Sequence, residues 1–467
     1  MSDPTTATTT PAHRSTGHAS LAVLGVKLRE LDLFRPIREG VRIAQKTVRH
    51  TPADKLYDSF IALLAGAHGL VEINRLLRAD PALQAAFGRP ACAEQSVVQD
   101  TLDACTADNV TELHGAMAAI YRQHSRGYRH DYDRDWQILD VDLSGLPCGK
   151  KAALATRGYF ATPRTRQGRQ LGRVLATRYH EVVVDRLFGG TTQLNTALLP
   201  LLLAAEETLA LDEARRQRTL VRIDAGAGSV ADINWVLFRG YQILAKDYST
   251  KRARTLAESV TAWHDDPRQP GRQVGLVTAS ATMYHAGQYR RTVIRIAVRC
   301  RQANGQWGVG VIVSTLSAVD ALCLTAQAPT LANDPVACLL AYVYLYDQRG
   351  GGVETTFKED KQGLGLTKRN KKRFEAQQIL VALGLLAHNV LIWAREWLAA
   401  AAPRLRQFGV KRLVRDAFGI AGVVTLDQHG RVGAIVLNHA DRLAHHLLAA
   451  LQALLSTEQI DVSLGEI

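Results

Sequence analysis

Three acidic residues of this sequence have the types and settings that phosphoryl-transfer chemistry needs. Asp142 and Asp224 each follow an apolar segment with a strand pattern, and Glu354 stands at a helix start after three glycines. Carboxylates at strand ends face the crevice where α/β sheets bind ligands, and Mg²⁺ or Mn²⁺ prefers oxygen ligands. Two such ions, about 4 Å apart, would activate an attacking oxygen and stabilise a leaving one. Each acid alone could equally be a helix cap or an ion-pair partner, so the prediction depends on the set.

Four more residues around Glu354 could bind nucleic acid. Lys358 and Lys361 follow it by four and seven residues, so one helical face would carry a metal ligand and two cations for phosphates. Before the glycines, Tyr346 offers a ring for an unstacked base, and Arg349 offers a forked donor for a phosphate. The plain alternative is a surface helix with ion pairs and a buried tyrosine.

Basic residues predict a polyanionic partner. The chain has 57 Lys and Arg against 44 Asp and Glu, a net charge of +13, which favours phosphate contacts and counterion release. Two clusters stand out, one in a glycine-containing hairpin and one after Lys361; they could track a DNA backbone or be solvated faces. The clusters are Arg157, Arg164, Arg166, Arg169 and Arg173, and Lys368-Arg369-Asn370-Lys371-Lys372-Arg373.

The elements that must position the acids are strands first and alternating strands and helices afterwards. Strands are predicted over 136–143, at 173–177, at 181–185, at 219–224 and at 241–246, with a helix at 197–209. Period-two alternation then predicts a β-rich insertion, and helical periodicity returns from Pro335 to about Ala400. This order implies an α/β fold with a mixed sheet.

The composition changes along the chain predict six segments. They are a disordered tail (1–20), a helical DNA-binding domain (21–130) with a candidate recognition helix beginning near Glu94, a first core part (131–250), the β-rich insertion (251–330), a second core part (331–400) and a C-terminal extension (401–467) that contains a strand pair and an amphipathic helix.

Several functional classes are disfavoured. No run of about 18 uncharged apolar residues would span a bilayer, so no membrane partner is predicted. Six scattered cysteines form no C-x-x-C pair, which favours reduced thiols in the cytosol. Gly226-Ala-Gly-Ser partly fits a dinucleotide fingerprint, but the charge of Asp224 at that point favours a cation over a pyrophosphate.

At these residues the sequence resembles the DDE transposases of bacterial insertion sequences, in the group marked by a Tyr-x2-Arg-x3-Glu-x6-Lys signature and a β-strand insertion. The resemblance covers about 90–400. It rests on the first-acid segment 139–145, the second-acid segment 221–226 and the signature 346–361, together with 241–246 and 387–394. Four residues rather than three separate Arg349 from Glu354, and both Asp140 and Asp142 could be the first acid; we choose Asp142, which precedes the Ser-Gly turn.

The resemblance implies an RNase H-like core and an enzyme that cleaves the ends of its own element and joins the 3′-hydroxyls to target DNA. It also implies two Mg²⁺ or Mn²⁺ ions, a homodimeric synaptic complex on double-stranded DNA and a bacterial, nucleoid-associated location. Three alternatives remain: a catalytically inactive DNA-binding protein derived from a transposase, another RNase H-like nuclease and a dinucleotide oxidoreductase.

Overall fold

The computed structural model describes residues 12–47, 49–158, 166–278, 282–286, 289–458 and 460–467, with the side chains of 282–291 left out. The chain divides into two compact units. The first comprises Met1–His124, Leu146–Ala155 and Lys358–Ile467, and the second comprises Ser125–Gly145 and Thr156–Phe357. Asp142, Asp224 and Glu354 all belong to the second unit.

The described strands are β1 (Ala12–Thr16), β2 (Gln137–Pro147), β3 (Thr156–Arg157), β4 (Gln167–Ala176), β5 (Glu181–Gly189), β6 (Thr219–Ile223), β7 (Gln242–Lys246), β8 (His264–Asp265), β9 (Arg272–Leu276), β10 (Thr282–Ala286), β11 (Tyr289–Thr292), β12 (Ile294–Arg301), β13 (Trp307–Ser314), β14 (Gly422–Leu426), β15 (Val432–Asn438) and β16 (Asp461–Gly465).

The described α-helices are α1 (Ala19–Glu30), α2 (Arg35–Gly40), α3 (Pro52–Leu64), α4 (Pro81–Ala86), α5 (Gln95–Ala104), α6 (Ala107–His124), α7 (Leu194–Leu209), α8 (Glu213–Gln217), α9 (Val230–Phe238), α10 (Thr250–Ala257), α11 (Ala318–Leu324), α12 (Pro335–Arg349), α13 (Thr355–Gly363), α14 (Phe374–Ala399), α15 (Val410–Arg412) and α16 (Arg442–Leu454). Short π-helical segments occupy Ile73–Leu77, Gly350–Glu354 and Leu413–Ala417.

One large mixed sheet organises the second unit. Its core strands lie in the order β5-β4-β2-β6-β7, with β4 and β5 antiparallel and β2, β6 and β7 parallel. The insertion strand β13 pairs antiparallel with β7, and β12, β9 and β8 follow outward. The predicted α/β fold with a mixed sheet and a β-rich insertion is therefore confirmed, and the insertion extends the core sheet itself.

Helix α12 packs across this sheet and ends at the acids. Asp334 caps its first turn by accepting the N–H groups of Val336 and Ala337, and Pro335 supplies a residue that needs no N–H partner there. Its buried side chains, among them Tyr342 and Leu345, join the core formed by strand residues such as Leu220, Leu244 and Ile312. Burial of this face fixes the helix, which carries Tyr346 and Arg349 in its last turn.

The first unit combines helices with a small sheet. Helix α14 is buried along most of its length and contacts α3, α5 and α6. Strands β1, β14, β15 and β16 form a separate four-stranded sheet in that order. The C-terminal extension was predicted to contain a strand pair, turning near His429, and an amphipathic helix over 439–455. Strands β14 and β15 and helix α16 confirm both predictions.

Three sequence predictions about segments differ from the structure. Residues 12–16 of the predicted disordered tail form β1, and a helix begins at Ala19; backbone pairing with β14 needs no apolar side chains. The N-terminal helices do not form a domain of their own, because they share a core with residues from 358 onward. For the same reason the predicted second core part (331–400) is divided near residue 357.

One described helix, α14, is long and apolar enough to cross a membrane, although the sequence showed no such run. In the structure 94% of its most apolar stretch is buried inside the protein. A helix that is apolar on all sides is what the centre of a large helical core requires. Its composition therefore follows from its position in the first unit.

Candidate active site

Parallel pairing brings the first two acids together. Strands β2 and β6 run in register from Gln137 beside Thr219 to Val141 beside Ile223, so the next residues on the two strands are Asp142 and Asp224. The carboxylate of Asp224 accepts the N–H of Gly226 at 2.8 Å, which ends the strand in a tight turn. Both carboxylates thus lie where the parallel pairing of β2 and β6 ends. Asp224 follows the last residue of β6, but β2 continues past Asp142 to Pro147, so the prediction that a strand ends at Asp142 is wrong.

Arg349 joins the third acid to the first. Its guanidinium lies 3.2 Å from Asp142 Oδ2 and 3.3 Å from Glu354 Oε1, and it donates to the carbonyl of Val141 at 3.1 Å. The side chain of Arg349 is 5% exposed and that of Asp142 is 15% exposed, whereas that of Glu354 is 59% exposed. The buried Arg349 guanidinium therefore joins Asp142 to Glu354, and Asp224, which the strand register sets beside Asp142, is close enough to raise the pKa of Arg349.

The protonation of the cluster reflects this crowding. Burial raises the pKa of Asp142 to about 6; Arg349 opposes the rise, while Asp224 and Glu354 add to it. Burial alone would lower the pKa of Arg349, but Asp142 and Asp224 hold it above its ordinary value. Burial raises the pKa of Tyr346 to about 12, so its hydroxyl is neutral at pH 7.

Asp140 occupies a different setting from Asp142. It is fully buried and receives two hydrogen bonds from Arg222, at 2.6 and 2.8 Å, and one from Thr177 at 2.7 Å. Arg222 also donates to the carbonyl of Leu345 at 2.6 Å. Arg222 thus binds β2 and β6 to the end of α12, and Thr177 binds β2 to the turn after β4. Asp140 is therefore engaged in structure, while Asp142 faces the other acids.

Sequence reasoning missed the Asp140–Arg222 pair, although a signal was present. Each member stands two residues before an acid, and positions i and i+2 of a strand point to the same face. Parallel alignment of the two acids therefore also aligns Asp140 with Arg222, as the register shows. An Asp-x-Asp on one strand and an Arg-x-Asp on the next is a pattern that could have predicted this pair.

The glycines before Glu354 shape the approach to the cluster. Gly352 has non-helical backbone angles (φ −89°, ψ −106°), and a Cβ there would lie 2.5 Å from Asp140 Oδ2. The segment Gly350–Glu354 is therefore kinked at Gly352, and α13 starts at Thr355. Only a residue without a side chain lets the chain pass Asp140 this closely, so Gly352 sets the position from which Glu354 reaches Arg349.

The donor set suits a divalent cation, but its present arrangement does not form a metal site. Three carboxylates are the ligand type that Mg²⁺ and Mn²⁺ take. Among the described residues, no group of three or more His, Cys, Asp or Glu side chains is arranged so that it could hold a metal ion. The Arg349 guanidinium lies between Asp142 and Glu354, and it supplies a positive charge at the point where the carboxylates converge.

Comparisons with known proteins leave the function open. No protein-family model matches the sequence, and no curated protein matches it. Among solved structures, the piggyBac transposase, described in a synaptic complex with hairpin DNA, is similar to this chain at 11% identity and a TM-score of 0.46, over 87% of this chain and 82% of that one. A likeness this weak carries no argument about function.

Four predicted DNA contacts are exposed or partly exposed. Lys358, Lys368 and Arg166 are exposed to solvent, and Lys361 is partly exposed. Lys358 and Lys361 lie on α13, as the spacing predicted. Arg164, which was counted with the hairpin cluster, lies outside the described residues.

Three arginines of the predicted basic clusters are not on the surface. Arg169 is fully buried, because β4 is covered on both faces. Its neighbour Arg173 is buried as well and pairs with Asp185 across the hairpin at 2.7 and 2.8 Å. Arg369 is buried against Gly384 and donates to the carbonyl of Leu364. Sequence clustering of cations therefore overstated the basic surface in both places.

Arg349 and Tyr346 also differ from their predicted settings. Arg349 was expected to offer its fork to a phosphate, but in the structure the fork is taken up by Asp142 and Glu354. Tyr346 is partly buried beside the cluster and lines a cavity of about 360 Å³ with Lys246, Arg272 and Asp347. The Tyr346 ring, which was predicted to be available to an unstacked base, therefore forms part of a cavity wall.

The glycine-rich turn after Asp224 has a packing explanation. A side chain at Gly228 would overlap the carbonyl of Lys246, so the turn needs glycine to approach β7. The N–H of Gly226 is taken by Asp224. Neither observation favours a dinucleotide at this turn, because the backbone donor that would meet a pyrophosphate already has an acidic partner.

A basic crevice in the first unit lies beside the candidate recognition helix. It has a volume of about 540 Å³, and its walls include Lys46, Arg49 and Arg78, which are exposed, and Glu94 and Val97 at the start of α5. Glu94 could be selected from the sequence, but the three cations could not, because they are scattered over 33 positions and converge only when the helices pack.

Proposed function

We propose that this protein is a DDE transposase that binds the terminal repeats of its own insertion sequence, cleaves the DNA ends and joins their 3′-hydroxyls to target DNA. The observation that carries the proposal is the parallel register that sets Asp142 beside Asp224, with Glu354 reached through Arg349. Three carboxylates from distant parts of the chain, brought together where β2 and β6 stop pairing, are the donor set that two-metal phosphoryl transfer uses.

Asp142, Asp224 and Glu354 would hold two Mg²⁺ or Mn²⁺ ions. When bound, such ions would polarise the scissile phosphodiester and lower the cost of charge on the attacking and leaving oxygens. The residues of the chain itself would orient the DNA. Asp142, with a pKa of about 6, is mainly ionised at pH 7, so it would be available as a ligand. The Tyr346 hydroxyl stays protonated and could donate to a phosphate.

Double-stranded DNA would be held at several basic positions. Lys358, Lys361, Lys368 and Arg166 would neutralise phosphates, and the crevice of Lys46, Arg49 and Arg78 would do the same beside helix α5. Helix α5 would then present Glu94 and Ser96, which are exposed, to the groove. We also propose that the protein acts as a homodimer on paired DNA ends. Its location would be the bacterial cytoplasm, in association with the nucleoid.

The cleavage test uses a labelled duplex that carries the DNA flanking the gene on its element, with Mg²⁺ or Mn²⁺. We expect the wild-type protein to cut, and the Asp142→Ala, Asp224→Ala and Glu354→Ala variants to bind the duplex without cutting. Asp133→Ala, which removes an exposed acid from the turn before β2, is the control and should cut normally. If a variant of Asp142 cuts at the wild-type rate, the assignment of the first acid is wrong.

One observation favours the second candidate function, a DNA-binding protein derived from a transposase that no longer catalyses. The charge of Arg349 already compensates two of the three acids, and the described residues form no ready metal site. Under this hypothesis the wild-type protein binds the duplex tightly and leaves it intact with either metal ion. The same assay therefore separates the two candidates.

A further inference from the structure

The buried guanidinium of Arg349 is held in the acidic cluster by charge, with its hydrogen bonds incompletely satisfied. Nη1 and Nη2 reach Glu354, Asp142 and the carbonyl of Val141 at 3.1 to 3.3 Å. Among the described residues, Nε of this buried side chain has no hydrogen-bond partner. A guanidinium satisfied at one end only is bound less firmly than the Arg222 fork, whose contacts with Asp140 are 2.6 and 2.8 Å.

We infer that Arg349 is the resident counter-ion of this cluster and competes with divalent cations for it, an inference that rests on the proposed function. Arg349 contacts Asp142 Oδ2 and Glu354 Oε1, and these two residues are among the three that would hold the divalent ions. A second cation next to a buried guanidinium would be repelled. Occupation by Arg349 and by the metal ions is therefore mutually exclusive.

The segment around Glu354 can accommodate the exchange. The Glu354 side chain is 59% exposed, so the contact between Arg349 and Glu354 can break without exposing buried apolar residues. Three glycines and the buried Val353 separate helix α12 from Glu354, and Gly351 has no neighbour within 4 Å of an added Cβ. Release from the acids would turn the guanidinium fork toward a DNA phosphate, so DNA and metal ions would each favour binding of the other.

The test measures Mn²⁺ binding to the full chain without DNA, by electron paramagnetic resonance of free Mn²⁺ at about pH 8, where Asp142 is ionised. We expect Arg349→Gln to bind Mn²⁺ at least about tenfold more tightly than wild type, because the competing charge is gone. Arg349→Lys keeps the charge and should stay near wild type. Arg254→Gln, which removes an exposed arginine from α10, is the matched control and should not change the affinity.

The outcomes separate the inference from the proposed function. If Arg349→Gln binds Mn²⁺ as wild type does, or more weakly, the competition is wrong, while a metal site survives. If neither protein binds Mn²⁺, both the competition and the metal-dependent function fail. Adding Asp224→Asn to Arg349→Gln should abolish the gain, which locates the ion. If Arg349→Gln does not fold, Arg349→Met, which keeps an unbranched apolar stem without the charge, is compared with wild type in its place.

Discussion

Asp142 links the pH dependence of stability to the cluster. Its folded-state pKa of about 6 lies above the unfolded value of 3.8, so the folded protein holds this proton more strongly. The stability that this group contributes is complete below about pH 4 and is lost as the pH rises through about 6. Ionisation of Asp142 therefore lowers the free energy of unfolding at neutral pH.

We predict that Asp142→Asn changes this pH dependence. Between about pH 3.5 and 7 the free energy of unfolding of wild type should fall, relative to that of the variant, by up to about 3 kcal/mol. Urea unfolding at several pH values measures the difference. Parallel curves for the two proteins would contradict the raised pKa. The Asp133→Ala variant, which changes an exposed acid, should run parallel to wild type.

The neighbouring acid Asp140 should act on stability in another way. Asp140→Ala leaves the charge of Arg222 buried and unpaired, and we expect it to lower the free energy of unfolding by about 3–5 kcal/mol. Replacing both partners, Asp140→Leu with Arg222→Met, should recover most of that loss, since no buried charge remains. Thermal unfolding of the three proteins checks this. A loss under about 1 kcal/mol in the single variant would show that the pair is solvated.

At the scale of elements, the glycines that follow α12 are not equivalent. A side chain at Gly352 would meet Asp140 Oδ2 at 2.5 Å, whereas one at Gly351 would meet nothing within 4 Å. We predict that Gly352→Ala lowers the free energy of unfolding by about 1–3 kcal/mol, as overpacking does. Gly351→Ala should raise it by about 0.4–1 kcal/mol, because alanine has less freedom in the unfolded chain. Equal melting temperatures for the two variants would argue against the close approach at Gly352.

The elements were more predictable from the sequence than the contacts between them. Alternation and helical periodicity predicted β2, β6, β7, α12 and the insertion strands, because each buries a face with its own period. Asp142 and Asp224 could be selected because an apolar strand segment precedes each of them, and Glu354 because it follows a glycine break; that β2 continues past Asp142 to Pro147 was not predicted. The burial of Arg169 and Arg369 could not be predicted, since local sequence does not encode which face of a segment another element covers.

The net charge of the whole molecule predicts how it binds DNA. Several neutralised phosphates make the logarithm of affinity fall steeply with the logarithm of salt concentration, by about 0.9 for each phosphate contacted. We predict that Lys46→Ala with Arg49→Ala reduces this slope by up to about 2, measured by fluorescence anisotropy on a labelled duplex. The matched double variant Arg404→Ala with Arg406→Ala removes two exposed arginines elsewhere in the first unit and should leave the slope unchanged. Equal salt-dependence slopes for the two double variants would exclude the crevice as a DNA contact.

The small sheet of the first unit has a consequence for synthesis. His13 on β1 and Thr425 on β14 are hydrogen-bonded although they are 412 residues apart in the chain. A ribosome adds about 5–20 residues per second, so β1 waits on the order of 20–80 s before its partner strand emerges. During that interval an unpaired strand edge is open to other chains. Helices α1 to α6 must also wait for α14, so the second unit can finish folding while the first is still incomplete. Slowing translation late in the message should therefore lower the yield of folded protein by prolonging this exposure.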